Sequence, residues 1–242
     1  MIKKVYRYIR QKMTKFFSFF KPRYLKPTLS TYLVANKIAP KGLIHVGANT
    51  AQEMEQYINL GNFPVVYIDP IDEMIQRISE KINRLKVNGH ITLKACCSDH
   101  TGETISFNIA SNNGESSSML ALGSHKSLHP EINYTESIET TTTTLDDLLN
   151  ENIPGLQANI LIIDTQGADL KVLIGAEETL KHIDAIYIEV SDFPIYENGA
   201  TFDQIYQFLK ERDFFCHAVS IKHIGYGDAF FVHKRKLNVH FG

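Results

Sequence analysis

From position 42 onward, short apolar runs alternate with longer stretches whose apolar residues recur at helical spacing. The runs GLIHV (42–46), PVVYI (64–68), ITLKACC (91–97), ANILIID (158–164) and AIYIEV (185–190) read as strands. Between several of them, AQEMEQYINL (51–60), DEMIQRISEKINRL (72–85) and ADLKVLIGAEETLKH (168–182) read as helices. This alternation predicts an α/β fold, a doubly wound and mostly parallel sheet flanked by helices. The last two runs, DFFCHAVSI (213–221) and YGDAFFVHK (226–234), are joined by a short stretch containing Gly225 and predict an antiparallel hairpin that closes the sheet. Between Ala110 and Thr144 the periodicity fades into a region rich in Ser, Thr, Asn and His, a long loop of the kind that often carries function. The run Thr140 to Thr144 is expected to be no more than a β-prone stretch before a helix.

The first forty residues follow a different pattern. Ile2, Val5, Tyr6, Ile9, Met13, Phe16, Phe17 and Phe20 fall at helical spacing, with Lys3, Lys4, Arg7, Arg10, Lys12 and Lys15 interleaved. That is a basic amphipathic helix. Two readings stay open: residues 1–20 lie on an anionic membrane surface, or the apolar face packs on the domain or on a second copy in a homodimer. Pro22 and Pro27 bracket a linker, and Thr28 can cap a second helix that runs to about Lys37. The expected division is an N-terminal helical extension over 1–40 and one α/β domain over 41–242.

Charge sharpens this division. Eleven lysines and arginines precede the first acid, Glu53, while the remaining 190 residues carry 14 basic and 27 acidic side chains. The acidic body and the lack of an aromatic-basic motif argue against a nucleic-acid partner. Three cysteines, Cys96, Cys97 and Cys216, form neither a disulfide framework nor a CxxC pattern, which points to a reducing compartment. With no apolar run long enough to span a bilayer and no cleavable signal pattern, the expected location is the cytoplasm, with peripheral contact at the inner face of the membrane if the first helix binds lipid.

In open α/β sheets ligands bind beyond the carboxyl ends of the strands, where the strand order reverses. At the end of the first strand the chain reads HVGANTAQE, His45 to Glu53. Gly47 permits a tight turn beside a ligand, but Asn49, Thr50 and Ala51 withhold the further glycines of a dinucleotide fingerprint, so NAD is disfavoured. The second strand ends in Asp69, followed by Pro70. An acid there can accept both hydroxyls of a ribose, or it can cap the next helix.

The blocks HVGANTAQEMEQYINLG, VVYIDP, ACCSDHTGE, SSSMLALGSHKSLHPEI, TTLDDLL, LIIDTQGADLKVLIGA, IEVSDFPIYENGATFDQIYQFLKE and GDAFFV together resemble the FkbM family of methyltransferases, over roughly Gly42 to Val232. The resemblance implies a seven-stranded class I methyltransferase fold and S-adenosylmethionine as cofactor. Carried over, it implies that Gly47 and Asn49 line the methionine and ribose parts, that Asp69 holds the ribose beside Pro70, that Ser98 and Asp99 lie beside the adenine, and that Asp164 sits near the sulfonium. His45, Glu53 and Gln166 complete the implied cofactor surroundings. His45 stands where many class I enzymes have an acid, and Gln166 where many relatives have Glu. The loss of two carboxylates argues against a tightly held divalent metal.

Transfer to a hydroxyl also needs a group to take its proton, most often a histidine. His125 and His129, in the loop SHKSLHP, are the first candidates, with His45 and Asp164 nearer the cofactor. Glu189 and Asp192 are further lining candidates, and Tyr196 is expected to pack. The position following the fourth main strand reads DTQG instead of an Asn-Pro-Pro-Tyr type motif, which disfavours nitrogen acceptors. The expected reaction is O-methylation of a sugar or polysaccharide hydroxyl. A lipid or secondary metabolite acceptor, a small molecule, and a non-catalytic nucleotide-binding scaffold are the alternatives.

Overall fold

The computed structural model describes residues 28–237. Within them β1 (Leu43–Val46), β2 (Val65–Asp69), β3 (His90–Lys94), β7 (Ile160–Ile163), β8 (Ala185–Ser191), β9 (Phe214–Ile221) and β10 (Tyr226–His233) form a seven-stranded sheet of order β3-β2-β1-β7-β8-β10-β9. All neighbours are parallel except at β10, which runs antiparallel to both β8 and β9. The expected sheet and closing hairpin are therefore present. The chain winds outward from β1 through β2 to β3, then returns to β7 on the other side of β1, so the order reverses between β1 and β7.

Every residue of β1, β2 and β7 is buried, the consequence of having helices on both faces of a parallel sheet. The pleat sends alternate side chains to two cores. Ile44, Val46, Val66, Ile68, Leu161 and Ile163 enter one, beneath α5 (Leu145–Asn152), α6 (Asp169–Ile174), α7 (Glu177–Leu180) and α8 (Phe202–Lys210). Leu43, Val65, Tyr67, Ile160 and Ile162 enter the other, with Met54 and Tyr57 of α2 (Met54–Leu60) and Ile78 of α3 (Asp72–Leu85). The helices start and stop where their sequences direct. Thr144 Oγ1 accepts from Asp147 N at 3.0 Å to cap α5, Thr201 and Gln204 form a capping box on α8, and Lys86 ends α3 in the left-handed region.

Two features depart from expectation. The run 91–97 is not one strand: β3 ends at Lys94, and Cys96–Cys97 (β4) leaves for a second sheet of order β4-β6-β5, with β5 at Thr104–Ala110 and β6 at Tyr134–Thr143. The Thr-rich run is thus part of a ten-residue strand. This sheet is half exposed: β5 alternates Ile105, Phe107 and Ile109, which pack on Met74 and Cys96, with Thr104, Ser106 and Asn108, whereas β6 is mostly Thr, Ser and Glu and carries little apolar alternation. The segment 111–133, with the short helix α4 (His125–Leu128), spans from β5 to β6.

The second departure concerns α1 (Leu29–Ala35), assigned by sequence to the extension. Thr28 caps it through Oγ1, Leu29, Leu33 and Ile38 are buried in the second core, and Tyr32 stacks on Phe230 with 4.7 Å between ring centroids. The packed unit therefore includes residues on the N-terminal side of position 41. The amphipathic segment over residues 1–20 lies outside the described residues. Among the described residues no helix is long and apolar enough to cross a membrane.

This packing predicts a boundary. A chain starting at Thr28 melts with the cooperativity of the full chain, whereas one starting at Gly42 exposes the face around Phe230 and loses stability. Leu33→Ala, at a site 1% exposed, costs about 2–5 kcal/mol in urea denaturation. An unchanged midpoint in that variant contradicts the assignment of α1 to the core.

Candidate functional site

The crevice lies at the carboxyl ends of β1 and β7, where the strand order reverses. Its floor is set by Gly47, at φ +78°: a Cβ there would lie 1.8 Å from the Asp164 carbonyl oxygen, so no other residue fits without moving a strand end. The loop that follows is held in left-handed backbone at Asn49 (φ 45°) and Ala51 (φ 47°). Gly47 and Ala48 donate to the Ile68 carbonyl at 2.9 and 3.0 Å, and Lys81 Nζ donates to the Ala51 carbonyl at 2.6 Å. The β1 loop is thereby tied to the end of β2 and to α3.

Asp69 completes this tie. Its Oδ2 accepts from Asn49 N at 2.9 Å and its Oδ1 from Ile71 N at 3.0 Å. The carboxyl is 5% exposed, and burial pushes its pKa up to about 6 against the opposing pull of the two amides. Each oxygen keeps a lone pair for a further donor. Asp69 and Pro70 line a small cavity with Gly47, Asn49, Ile71, Cys96, Cys97, Phe107 and Met119. Ser98 and Asp99 line neither this cavity nor its larger neighbour. Ser98 is buried with its hydroxyl on Asp99 at 2.9 Å, and Asp99 pairs with Lys171 at 3.0 Å. The resemblance implied that they lie beside the adenine. The break at Ala95 presents Cys96 and Cys97 to the cavity instead.

A second cavity of about 430 Å³ opens beside the first. The two share Gly47, Asn49, Glu115, Asp164 and Gln166 in their linings. At this junction Gln166 Nε2 donates to Asp164 Oδ1 at 2.5 Å and to Glu189 Oε2 at 3.3 Å, while its Oε1 accepts from the Tyr196 hydroxyl at 2.6 Å. Tyr196, expected to pack, also orients this amide. Asp164 is exposed to the cavity, and the protein packed around the crevice, together with the charge of Asp169, pushes its pKa up to about 7, with Gln166 opposing. Burial and the Asp164 charge likewise push Glu189 well above the usual carboxylate range.

Gln166 is itself left-handed, at φ 53°. The turn that carries it is fixed by Asp169, 4% exposed, whose Oδ1 accepts from Thr165 N at 2.9 Å and Thr165 Oγ1 at 3.0 Å and whose Oδ2 accepts from Gly167 N at 3.1 Å. The Ser118 hydroxyl holds the Gln166 carbonyl at 2.8 Å. Asp169 did not emerge from the sequence. Its only trace there is an acid at the start of a helix, which ordinarily signals favourable placement at the helix dipole.

The larger cavity also gathers the three histidines expected near the chemistry, together with Glu53. His45 Nδ1 meets the Tyr57 hydroxyl at 3.2 Å, and burial lowers its pKa to about 4, so the ring is neutral. His125 is 5% exposed, its Nδ1 has no hydrogen-bond partner, and burial holds its pKa below the ordinary imidazole value. It lies between His129 and Tyr196, with centroids at 5.0 and 5.2 Å. His129 Nε2 meets the Tyr226 hydroxyl at 3.1 Å. Asp192 is absent from both linings, whereas Glu189 belongs to the larger. Among the described residues no group of three or more His, Cys, Asp or Glu has the arrangement of a metal site.

Comparison with known proteins assigns this crevice a family. The family model described as "Methyltransferase FkbM domain" matches residues 45–216. No curated protein sequence matches the chain. Among solved structures, the chain is similar to a SAM-dependent methyltransferase from Aquifex aeolicus (12% identity, 90% of this chain and 96% of that one, TM-score 0.47). It is also similar to an rRNA methylase from Streptococcus thermophilus (8%, 88% and 99%, 0.47) and to magnesium protoporphyrin IX methyltransferase from Synechocystis with bound SAM (10%, 84% and 74%, 0.47).

The Asp169 clamp yields a direct test. Asp169→Ala leaves the donors on Thr165 and Gly167 without their acceptor, and a cost of about 1–3 kcal/mol is expected for such a loss. Urea denaturation measures it. Wild-type stability in the variant contradicts the clamp.

Proposed function

The chain belongs to the FkbM methyltransferase family, with S-adenosylmethionine as methyl donor, and on that premise we propose that it methylates a hydroxyl oxygen of a sugar or polysaccharide held in the larger cavity. The observation that carries this reading is the junction. A small cavity with a free acceptor face on Asp69 meets a roomy polar one at Asp164 and Gln166, and the roomy one is lined by groups able to take a proton.

The small cavity fits the donor's nucleoside end. Asp69 offers one unused lone pair on each oxygen to the ribose hydroxyls, and Ile71, Cys96, Phe107 and Met119 give an apolar surface for the adenine. The close approach at Gly47 leaves backbone, with no side chain, facing the methionine end, next to Asn49, Glu53 and His45. When bound, S-adenosylmethionine supplies a methyl group on a positively charged sulfur, so catalysis is chiefly alignment.

Asp164 is the residue we assign to the acceptor's proton. It stands at the junction, and its proton affinity lies near neutrality, where a general base works best. Gln166 keeps the carboxylate turned to the cavity by donating to it. The loop histidines are less suited. His129 is engaged by Tyr226, and the unpartnered nitrogen of His125 is enclosed. They orient the acceptor, and neutral His45 forms the wall behind it.

Two outcomes follow. Asp69→Ala weakens calorimetric binding of S-adenosylhomocysteine by about 1–3 kcal/mol, the scale of removing a partner from buried polar groups, and retained affinity removes Asp69 from the site. Asp164→Asn lowers kcat by about 10² to 10⁴, while single and double replacements of His125 and His129 stay within about tenfold. In the wild type, turnover rises with pH as Asp164 loses its proton, with a midpoint at or below about 7. A profile flat through this range, or a double histidine variant as damaged as Asp164→Asn, transfers the role to the loop. The acceptor class is tested by mass spectrometry of glycans from cells with and without the gene, in which the predicted difference is one methylene unit.

A further inference from the structure

The larger cavity is lined chiefly by acids among its ionisable groups. Its lining includes the carboxylates of Glu53, Glu115, Asp164 and Glu189 and, among the described residues, no lysine or arginine. The imidazoles of His45 and His125 do not offset this, since burial holds them in the neutral form; His129 Nε2 meets the Tyr226 hydroxyl and its Nδ1 lies 3.6 Å from Glu131. Lys222 stands over the Tyr226 ring, 5.2 Å from its centroid, and its charge reaches Glu189, but it does not line the cavity.

Two of these carboxylates are held close together. Asp164 and Glu189 share the single amide of Gln166, at 2.5 and 3.3 Å, so Glu189 holds the weaker bond and retains acceptor capacity toward the cavity. The methyl donor brings one net positive charge, which Asp164 faces in the arrangement above. Within the lining itself, among the described residues, no lysine or arginine stands beside Glu189, Glu53 or Glu115. Burial and the charge of Asp164 raise the proton affinity of Glu189, so an anionic group entering here raises it further and meets the remaining carboxylate charge where Coulombic repulsion is poorly screened, whereas a cation such as an ammonium group draws Glu189 into its ionised form.

We propose that this cavity selects its acceptor by charge: it takes hydroxyl compounds that carry a protonated amine in preference to neutral ones and excludes those bearing phosphate, sulfate or carboxylate, with Glu189 as the residue that senses the charge. The proposal rests on the methyl-transfer reading and narrows its acceptor to amine-bearing sugars. Like-charge juxtaposition of this kind is a common means of rejecting wrong partners.

The test uses the full chain saturated with S-adenosylhomocysteine and three matched probes: the methyl glycosides of glucosamine, glucose and glucuronic acid. Binding is read by saturation-transfer NMR titration, which needs no turnover. The expected order is amine, then neutral, then acid, with about tenfold or more between the ends. Glu189→Gln brings amine and acid to within about threefold, and raised salt narrows the wild-type spread. Equal binding of all three, stronger binding of the acid, no binding of the amine probe, or an unchanged order in Glu189→Gln each overturns the proposal. Calorimetry with S-adenosylhomocysteine alone separates the two levels: if it does not bind, the methyl-transfer reading fails first, and if it binds while the order is absent, only the charge selection fails.

Discussion

A Cβ on residue 47 would fall on the carbonyl oxygen of Asp164. That contact sets the distance between the two strand ends where the sheet changes direction, and much of the site follows from it. With the β1 loop pressed against the β7 loop, Asn49 reaches the carboxylate of Asp69, and Asp164 is delivered to the boundary between the two cavities. The loops hold several residues in left-handed backbone, at Asn49, Ala51 and Gln166, conformations that persist only where surroundings enforce them. Here the enforcing groups are Lys81 on one side and Asp169 with Ser118 on the other.

Enclosure then determines the chemistry. Asp69, Asp164 and Glu189 all have proton affinities raised by burial, and nothing cationic among the described residues lies in either lining to relieve them. Folding must supply the free energy to hold such groups together. A positively charged methyl donor restores part of it on binding, so the site is electrostatically prepared for a cation before one arrives. The amide of Gln166 is suited to this arrangement because it links two carboxylates without adding charge.

The main sheet was legible because its central strands are buried on both faces and therefore appear as unbroken apolar runs. Asp69 was legible as the acid that ends such a run, at the end where ligands bind, whereas Asp164 was placed by the family resemblance. The second sheet was missed although β5 alternates Ile105, Phe107 and Ile109 with polar residues; its partner β6 is half exposed and rich in Thr and Glu, so its own pattern resembles a loop. Ser98 and Asp99, placed beside the adenine by the family resemblance, line neither cavity, because the chain turns away at Ala95. Roles that depend on distant contacts left little local trace, as with the three bonds to Asp169, the Tyr196 hydroxyl on Gln166, and the packing of α1 against Phe230.

The central claim is that the junction of the two cavities is where donor and acceptor meet. A crystal structure of the chain with S-adenosylhomocysteine tests it most directly. The account predicts ribose hydroxyls on the Asp69 carboxylate, the adenine against Ile71, Cys96 and Phe107, and the sulfur facing Asp164 at the opening of the larger cavity. A ligand whose ribose bypasses Asp69, or whose sulfur points away from the larger cavity, contradicts it.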